Sequence, residues 1–416
     1  MPLSQFSRLI STGSALPSRC VTNDELAREL ASLGVETSDE WIRSRTGIET
    51  RYLVSGEEGT LSLAVGASRA ALESGAIDPE TIDLVIVATT TPDEVFPAVA
   101  CRLQSALGIP PCAAFDIQAV CSGFAYAVSV ADSMIRSGAA RRALVVGAES
   151  FSRLLDWRDR TTCVLFGDGA GAAVLDASDK PGILMTRLTA DGGKGDYLAV
   201  PGRLEGGKAL GSPFLKMDGR AVFREAVESL SSQAEAVLRE AGVAASDIDL
   251  YVPHQANVRI MDAVASRIGV NPASVVKTVF QHGNTCAASV PLALDYAVKN
   301  GMARRGDTVL LQGVGAGASH PVRAPGSIRG ATLLLFRHCP ITGLNRIFSM
   351  RLAILFPGQG SQSVGMLSGF AGNDAVARVM ARSSEALGED LEKLISEGPA
   401  EKLGLTVNTQ PVMLAC

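Results

Sequence analysis

The sequence predicts an α/β fold made of two copies of one unit. Three observations carry this: short apolar strands alternate with amphipathic helices, four of these elements recur at a near-constant offset, and the composition is rich in apolar side chains and glycine. Of 416 residues, 47% are hydrophobic, 19% are charged and 42 are Gly, which excludes disorder, collagen and coiled coil and supplies a deep core for two or three domains or one duplicated one. With 38 basic and 43 acidic side chains the formal charge is -5, so nothing attracts the whole molecule to nucleic acid or an anionic membrane. No apolar run approaches the ~18 residues that span a bilayer, and the first residues lack the basic, apolar and small-residue series of a secretory signal. A cytoplasmic protein is the expectation.

The elements follow in order. Residues 61–75 read as an amphipathic helix closed at Gly75, and residues 82–87 as an apolar strand. Residues 230–242, closed by Ala241-Gly242, and the strand 248–252 repeat that unit at an offset of 166. Leu107-Gly108-Ile109 recurs as Ile268-Gly269-Val270 at an offset of 161. Gly138 with Ala140-Arg141-Arg142 recurs as Gly301 with Ala303-Arg304-Arg305 at an offset of 163, and apolar strands follow at 143–146 and 308–311. Such alternation predicts mostly parallel sheets with helices on both faces, in two pseudo-twofold halves, residues 1–178 and 179–317.

The second half departs from the first at its end. Gly167-Asp168-Gly169-Ala170-Gly171 runs into a strand at 172–175, whereas Gly313-Val314-Gly315-Ala316-Gly317 is followed by Ala318-Ser319-His320-Pro321-Val322-Arg323-Ala324-Pro325. Two prolines and a charge do not make a central strand. No Asp or Glu lies between Asp307 and Asp374, yet Arg323, Arg329, Arg337, Arg346 and Arg351 do. The expectation is that the last strand of the second half is replaced and that residues 318–350 form an atypical basic linker. Ala331-Thr332-Leu333-Leu334-Leu335-Phe336 is a candidate substitute for the strand.

Eight cysteines with no C-x-x-C pair and no His-rich metal spacing read mainly as reduced, buried, small apolar residues. Cys121 differs by position, lying between a strand-like segment at 114–117 and an apolar helix that begins near residue 125. The positive end of that helix and its free amides favour the thiolate. His254, in Val252-Pro253-His254-Gln255-Ala256-Asn257, follows the first strand of the second half, where parallel sheets collect ligands. Asn284, in His282-Gly283-Asn284-Thr285-Cys286-Ala287, reads as the repeat counterpart of Cys121 at an offset of 163. Taken singly, the three also read as a core cysteine, a satisfied core histidine and a turn asparagine. Cys, His and Asn in that order also describe a papain-like thiol hydrolase, but Cys121 lacks that enzyme's C-G-S-C-W surroundings and the duplicated α/β pattern is a different fold.

Five segments in order make the resemblance specific: Thr37-Ser38-Asp39-Glu40-Trp41-Ile42 with Arg45-Thr46-Gly47-Ile48, Ala119-Val120-Cys121-Ser122-Gly123-Phe124, Phe166-Gly167-Asp168-Gly169-Ala170-Gly171, Pro253-His254-Gln255-Ala256-Asn257, and His282-Gly283-Asn284-Thr285. Across residues 5–317 the chain resembles beta-ketoacyl-acyl carrier protein synthase III. The resemblance implies a duplicated thiolase-like fold layered α-β-α-β-α. It implies an acyltransferase that begins fatty acid synthesis by condensing acetyl-CoA with malonyl-acyl carrier protein, with no metal or redox cofactor. In that reading Cys121 is the acyl-accepting nucleophile, and His254 and Asn284 donate hydrogen bonds as charge develops on the thioester oxygen. The backbone N–H groups of Cys121 and Ala316 form the oxyanion site, Ala316 standing where the family has Gly. For CoA the resemblance implies Thr37, Trp41, Arg45, Arg160, Gly219 and Asn257. Phe96 closes a short acyl pocket from the partner subunit, which implies a homodimer, and Arg224, Arg259 and Arg267 form the patch that receives the acidic acyl carrier protein. The alternatives are a non-catalytic remnant of this fold that binds CoA and a related acyl transferase of secondary metabolism.

Leu352-Ala353-Ile354-Leu355-Phe356-Pro357-Gly358-Gln359-Gly360-Ser361-Gln362, with Asn408-Thr409-Gln410-Pro411, resembles the opening of malonyl-CoA:acyl carrier protein transacylase. Residues 351–416 thus read as a partial α/β extension, and they contain no Gly-x-Ser-x-Gly elbow to expose a nucleophilic serine. Met350 stands where such an enzyme would begin, so the expectation is a frame change that joined two reading frames through a stretch not selected as protein, with a bifunctional fusion as the alternative.

Overall fold

The computed structural model describes residues 6–315, the strand 332–337 and, beyond them, positions 381, 384, 390 and 393. Two compact units divide the chain, Met1–Ile341 and Thr342–Cys416, and everything described below lies in the first. Its first half runs β1 (Phe6–Ala15), α1 (Asp39–Thr46), α2 (Thr60–Ser74), β2 (Leu84–Ala88), α3 (Val99–Ala106), β3 (Ala113–Ile117), α4 (Gly123–Arg136), β4 (Arg142–Glu149) and β5 (Gly169–Ser178). The second half runs β6 (Ile183–Arg187), α5 (Gly219–Ala241), β7 (Leu250–Pro253), α6 (Val258–Ile268), α7 (Ser289–Lys299), β8 (Thr308–Gly313) and β9 (Thr332–Arg337). Local chemistry sets the ends. Ser38 caps α1 by accepting from the Trp41 N–H, and Asp218 caps α5 by accepting from the N–H groups of Arg220 and Ala221. Helix α5 stops at Gly242, whose φ of +67° is the left-handed conformation glycine adopts without strain.

One sheet has the order β1-β5-β4-β2-β3 and the other β7-β8-β9-β6. Side chains alternate across each strand. Leu84, Ile86 and Ala88 of β2 and Val309 and Leu311 of β8 face a common core around α4 and α7. Val85 and Val87 pack outward under α2 and α3, and Tyr251 and Leu310 pack outward under α5 and α6. The result is five layers, α-β-α-β-α, with two helices sealed between two sheets.

The sheets are mixed rather than mostly parallel. β2 is parallel to β3 and β4, and β7 to β8, but β5 runs antiparallel to β4 and β1, and β9 antiparallel to β8 and β6. A parallel neighbour requires a crossover, and the link from β4 to β5 contains only the short turns Phe151–Leu154 and Arg160–Cys163. Where β2 carries β3 at the outer edge of the first sheet, β7 has among the described residues only one parallel bridge on that side, Tyr251 to Val275.

The end of the second half corrects the sequence reading. β9 occupies in the second sheet the place β5 holds in the first, between β8 and β6, with Leu311 opposite Leu334 and Thr186 opposite Leu334 on the other side. The run that the sequence offers as a substitute strand therefore takes that place, beyond residue 317, and residues 332–337 are sheet rather than linker. An apolar run of strand length takes whichever ladder offers unpaired N–H and C=O groups, and β8 and β6 each offer one.

We predict that a chain ending at Ile341 folds cooperatively, whereas one ending at Gly317 is lost to aggregation, read by circular dichroism and gel filtration. Leu334→Pro in the intact chain removes a donor from a central ladder and should lower the melting temperature by several degrees, ~1 kcal/mol or more.

Candidate active site

Two corners build the site. After β3 the chain passes through the 3-10 turn Val120–Ser122 into α4, and in the second half through the turn Cys286–Ala288 into α7. Val120 has φ +47° and Cys286 φ +50°, left-handed values at an offset of 166, the offset of the preceding strands. Ala287, not Asn284, is thus the structural counterpart of Cys121, because the corner is defined by its backbone reversal and not by the polar residue near it. Asn284 sits two residues before the second corner, where its Oδ1 accepts from the Cys286 N–H at 3.0 Å and leaves Nδ2 as the donor to the cavity. The glycine-rich Phe166–Gly171 segment holds it there: the Gly167 N–H donates to the Asn284 carbonyl at 3.0 Å, and the Asn284 N–H donates to that of Leu165 at 2.9 Å. Gly283 at φ +65° completes a bend that a side chain would strain.

Cys121, His254 and Asn284 line one cavity of about 1010 Å³ and are only 4%, 4% and 7% exposed. His254 follows β7, its N–H donating to the Gln312 carbonyl at 2.7 Å and its Nδ1 sharing a 2.6 Å hydrogen bond with Ser289 Oγ. With Nδ1 engaged, Nε2 is the ring atom left for the cavity and Cys121. Gly315 passes against the nucleophile corner, where a Cβ would meet the Ala119 carbonyl at 2.6 Å and the Cys121 amide nitrogen at 3.4 Å. Ala316 lies outside the described residues.

At the cavity mouth, Trp41 of α1 carries the guanidinium carbons of Arg45 and Arg160, each 4.5 Å from its ring centroid. Arg160 also donates to the Glu36 carbonyl at 2.8 Å. Trp41, Arg45, Gly219 and Asn257 are on the cavity wall, while Thr37 and Arg160 are not. The Thr37 hydroxyl is buried without a partner. Asn257 caps α6 by accepting from the Arg259 N–H and donates to the Arg45 carbonyl at 3.0 Å, so its amide ties α6 to α1. Phe96 is not on this wall but on the surface, 83% exposed. Arg224 and Arg259 are exposed, Arg259 donating to the Ser44 carbonyl at 2.6 Å, and Arg267 is paired with Glu228 at 2.7 Å.

Two family models match, 3-oxoacyl-[acyl-carrier-protein (ACP)] synthase III at residues 115–192 and its C-terminal part at residues 238–321. The 3-oxoacyl-[acyl-carrier-protein] synthase III of Aquifex aeolicus VF5 is 40% identical and aligns over 80% of this chain and 100% of its own, with a TM-score of 0.72. That of Pseudomonas aeruginosa PAO1 is 39% identical over 81% of this chain and 100% of its own, with a TM-score of 0.72. This chain belongs to the synthase III family. It is a thiolase-fold condensing acyltransferase, of the family that initiates fatty acid synthesis. The priming β-ketosynthase of the R1128 polyketide biosynthetic pathway is also similar, 35% identical over 80% of this chain and 97% of its own, with a TM-score of 0.71.

A condensing enzyme needs a thiolate, and the structure supplies it differently from the sequence reading. The Cys121 thiol is held well below its ordinary range, chiefly by hydrogen bonding from the Cys286 thiol and then by the charge and hydrogen bond of His254, against the opposing effect of burial. The sulfurs are 3.6 Å apart, and the Cys286 thiol is pushed up by burial and by Cys121. Behind Cys286 lies Glu149, whose carboxyl burial pushes up to about 7 although Thr90 and Thr91 donate to it. Sequence reasoning missed Cys286, Ser289 and Glu149, and also the buried Lys194–Glu225 ion pair, 2.7 Å, on the cavity wall. The signal for the first two was their distance from Asn284, two and five residues on in the same motif. For Glu149 and Lys194 the sequence contains none.

Because a lowered thiol pKa keeps the thiolate present as pH falls, alkylation of Cys121 by iodoacetamide should persist below the ordinary thiol range, near 8.5. Cys286→Ala removes the leading cause and should shift that profile to higher pH, read by mass spectrometry of the Cys121 peptide.

Proposed function

We propose that this chain condenses acetyl-CoA with malonyl-acyl carrier protein to give acetoacetyl-acyl carrier protein, CO2 and CoA. The observation that carries this is the convergence of Cys121, His254 and Asn284 on one cavity with Trp41 and two arginines at its mouth. The Cys121 thiolate attacks the acetyl thioester, the carbonyl oxygen takes the developing charge, and CoA leaves as its thiolate. Malonyl-acyl carrier protein then enters. Loss of CO2 leaves an enolate, whose oxygen accepts hydrogen bonds from His254 and Asn284; its carbon attacks the acetyl-enzyme carbonyl, the new C–C bond forms, the C–S bond breaks and the Cys121 thiolate leaves. In our reading the backbone N–H of Cys121 donates to the tetrahedral oxygen of either acyl-transfer step, with Ala316 the second donor that the resemblance implies.

CoA enters by the Trp41 mouth. An adenine stacked on that ring takes the place of one guanidinium, and the displaced arginine is then free to meet a phosphate. Thr37, Gly219 and Asn257 complete this path in our reading. The exposed Phe96 closes the acyl pocket of a partner subunit in a homodimer, and a ring there suits a short acyl chain. The acidic carrier protein docks beside the mouth on Arg224 and Arg259, with Arg267 contributing where Glu228 yields it. Residues 351–416 we read as the opening of a malonyl-CoA:acyl carrier protein transacylase that supplies no serine nucleophile.

The similarity to a priming ketosynthase favours a second reading, an acyl transferase that primes a polyketide chain instead. Product analysis with malonyl-acyl carrier protein separates the two, and acetyl labelling separates both from a non-catalytic CoA-binding remnant. Radiolabelled acetyl-CoA should label Cys121 and leave Cys121→Ser blank. His254→Ala and Asn284→Ala should still accept the label yet condense at least ~100-fold more slowly, since each removes a donor to the enolate oxygen that forms as CO2 departs. Arg259→Glu should weaken carrier-protein affinity, measured by titration calorimetry at two salt concentrations. Unchanged affinity overturns the docking assignment.

A further inference from the structure

We propose that Cys121 and Cys286 are a peroxide-sensitive thiol pair that closes to a reversible disulfide and takes the nucleophile out of use. Their sulfurs are 3.6 Å apart in a buried contact, so a bond of about 2.05 Å requires an approach of about 1.5 Å. Both residues sit at corners that pack on each other, one from each half of the chain. Cys121 is on the cavity wall, open to a small oxidant that enters by the substrate path, while Cys286 is not. The second cysteine is not demanded by its backbone: φ +50° favours Gly or Asn, and a side chain there carries strain.

The chemistry balances with hydrogen peroxide as the oxidant. The Cys121 thiolate attacks one peroxide oxygen, an S–O bond forms, the O–O bond breaks, and hydroxide leaves to become water on taking a proton. The Cys121 sulfur, oxidised by two electrons, is now a sulfenic acid. The Cys286 sulfur attacks it, the S–S bond forms, the S–O bond breaks, and the departing hydroxide takes the Cys286 proton. In sum, two thiols and one peroxide give one disulfide and two waters. Glu149 is the base placed to relay that proton: it lies close enough to Cys286 to push the thiol up, and burial raises its own carboxyl to about 7. Thr90 Oγ1 lies 4.0 Å from the Cys286 sulfur on the same side. Without Cys286, a Cys121 sulfenic acid has no resolving thiol in contact among the described residues and proceeds to the irreversible sulfinic acid.

The full chain is reduced, exposed to graded hydrogen peroxide, quenched with N-ethylmaleimide and digested without reductant. The expected product is a peptide pair joining Cys121 to Cys286, lighter than the two thiol peptides by two hydrogen atoms. Dithiothreitol or thioredoxin should then restore full alkylation of Cys121. In Cys286→Ser the same dose should convert Cys121 to sulfinic acid, with no recovery by thiols. The proposal is overturned if Cys121 of the unaltered chain ends as sulfinic acid, pairs with another cysteine, or stays reduced at a dose that oxidises Cys121 in Cys286→Ser. Mass is the readout, so the result stands apart from acetyl transfer, and its failure leaves the condensation reading untouched.

Discussion

The structure depends on one close contact, the packing of two strand-to-helix corners against each other in the middle of the unit. A Cβ on Gly147 would meet the Ala287 carbonyl at 2.4 Å, and one on Gly313 would meet the Cys121 carbonyl at 2.9 Å. Small residues at these places let backbone approach backbone, so each half presents its corner to the other. The strands β4 and β8 pass beside this contact, and the helices α4 and α7 leave from it between the sheets. A cavity that reaches the contact therefore meets side chains of both halves at once. That is how a residue of the first copy and two of the second come to share one wall.

The same burial sets the electrostatics. An ionised sulfur out of water is costly unless donors surround it, and here the donors are a second thiol and an imidazole. Each donor is itself held from behind, His254 by Ser289 and Cys286 by the Glu149 and Thr90 group. The site is thus two layers deep, and its second layer comes from β4 and from the first turn of α7. A thiol chosen as donor brings its own chemistry, because it can be oxidised where a hydroxyl cannot.

The sequence shows the duplication because both copies retain the alternation of apolar strand and amphipathic helix, and local pattern survives divergence. It shows Cys121, His254 and Asn284 because each lies in a motif with recognisable neighbours. It misplaces the symmetry at Asn284 by three residues, since a polar residue beside a turn is visible in sequence and a positive φ at Val120 or Cys286 is not. It offers β9 only as a candidate. Prolines at 321 and 325 end one strand pattern, and only the unpaired edges of β8 and β6 give the run at 332–337 its role.

Composition, period and motif, all local, determined by themselves that this is a duplicated α/β chain with a nucleophilic cysteine at a corner. The tertiary structure alone decided strand direction, the ladder that takes up the ninth strand, and the thiol that touches Cys121. Each of these depends on partners remote in sequence, 165 residues apart for the two sulfurs, and no local pattern encodes a neighbour supplied by the other half of the molecule.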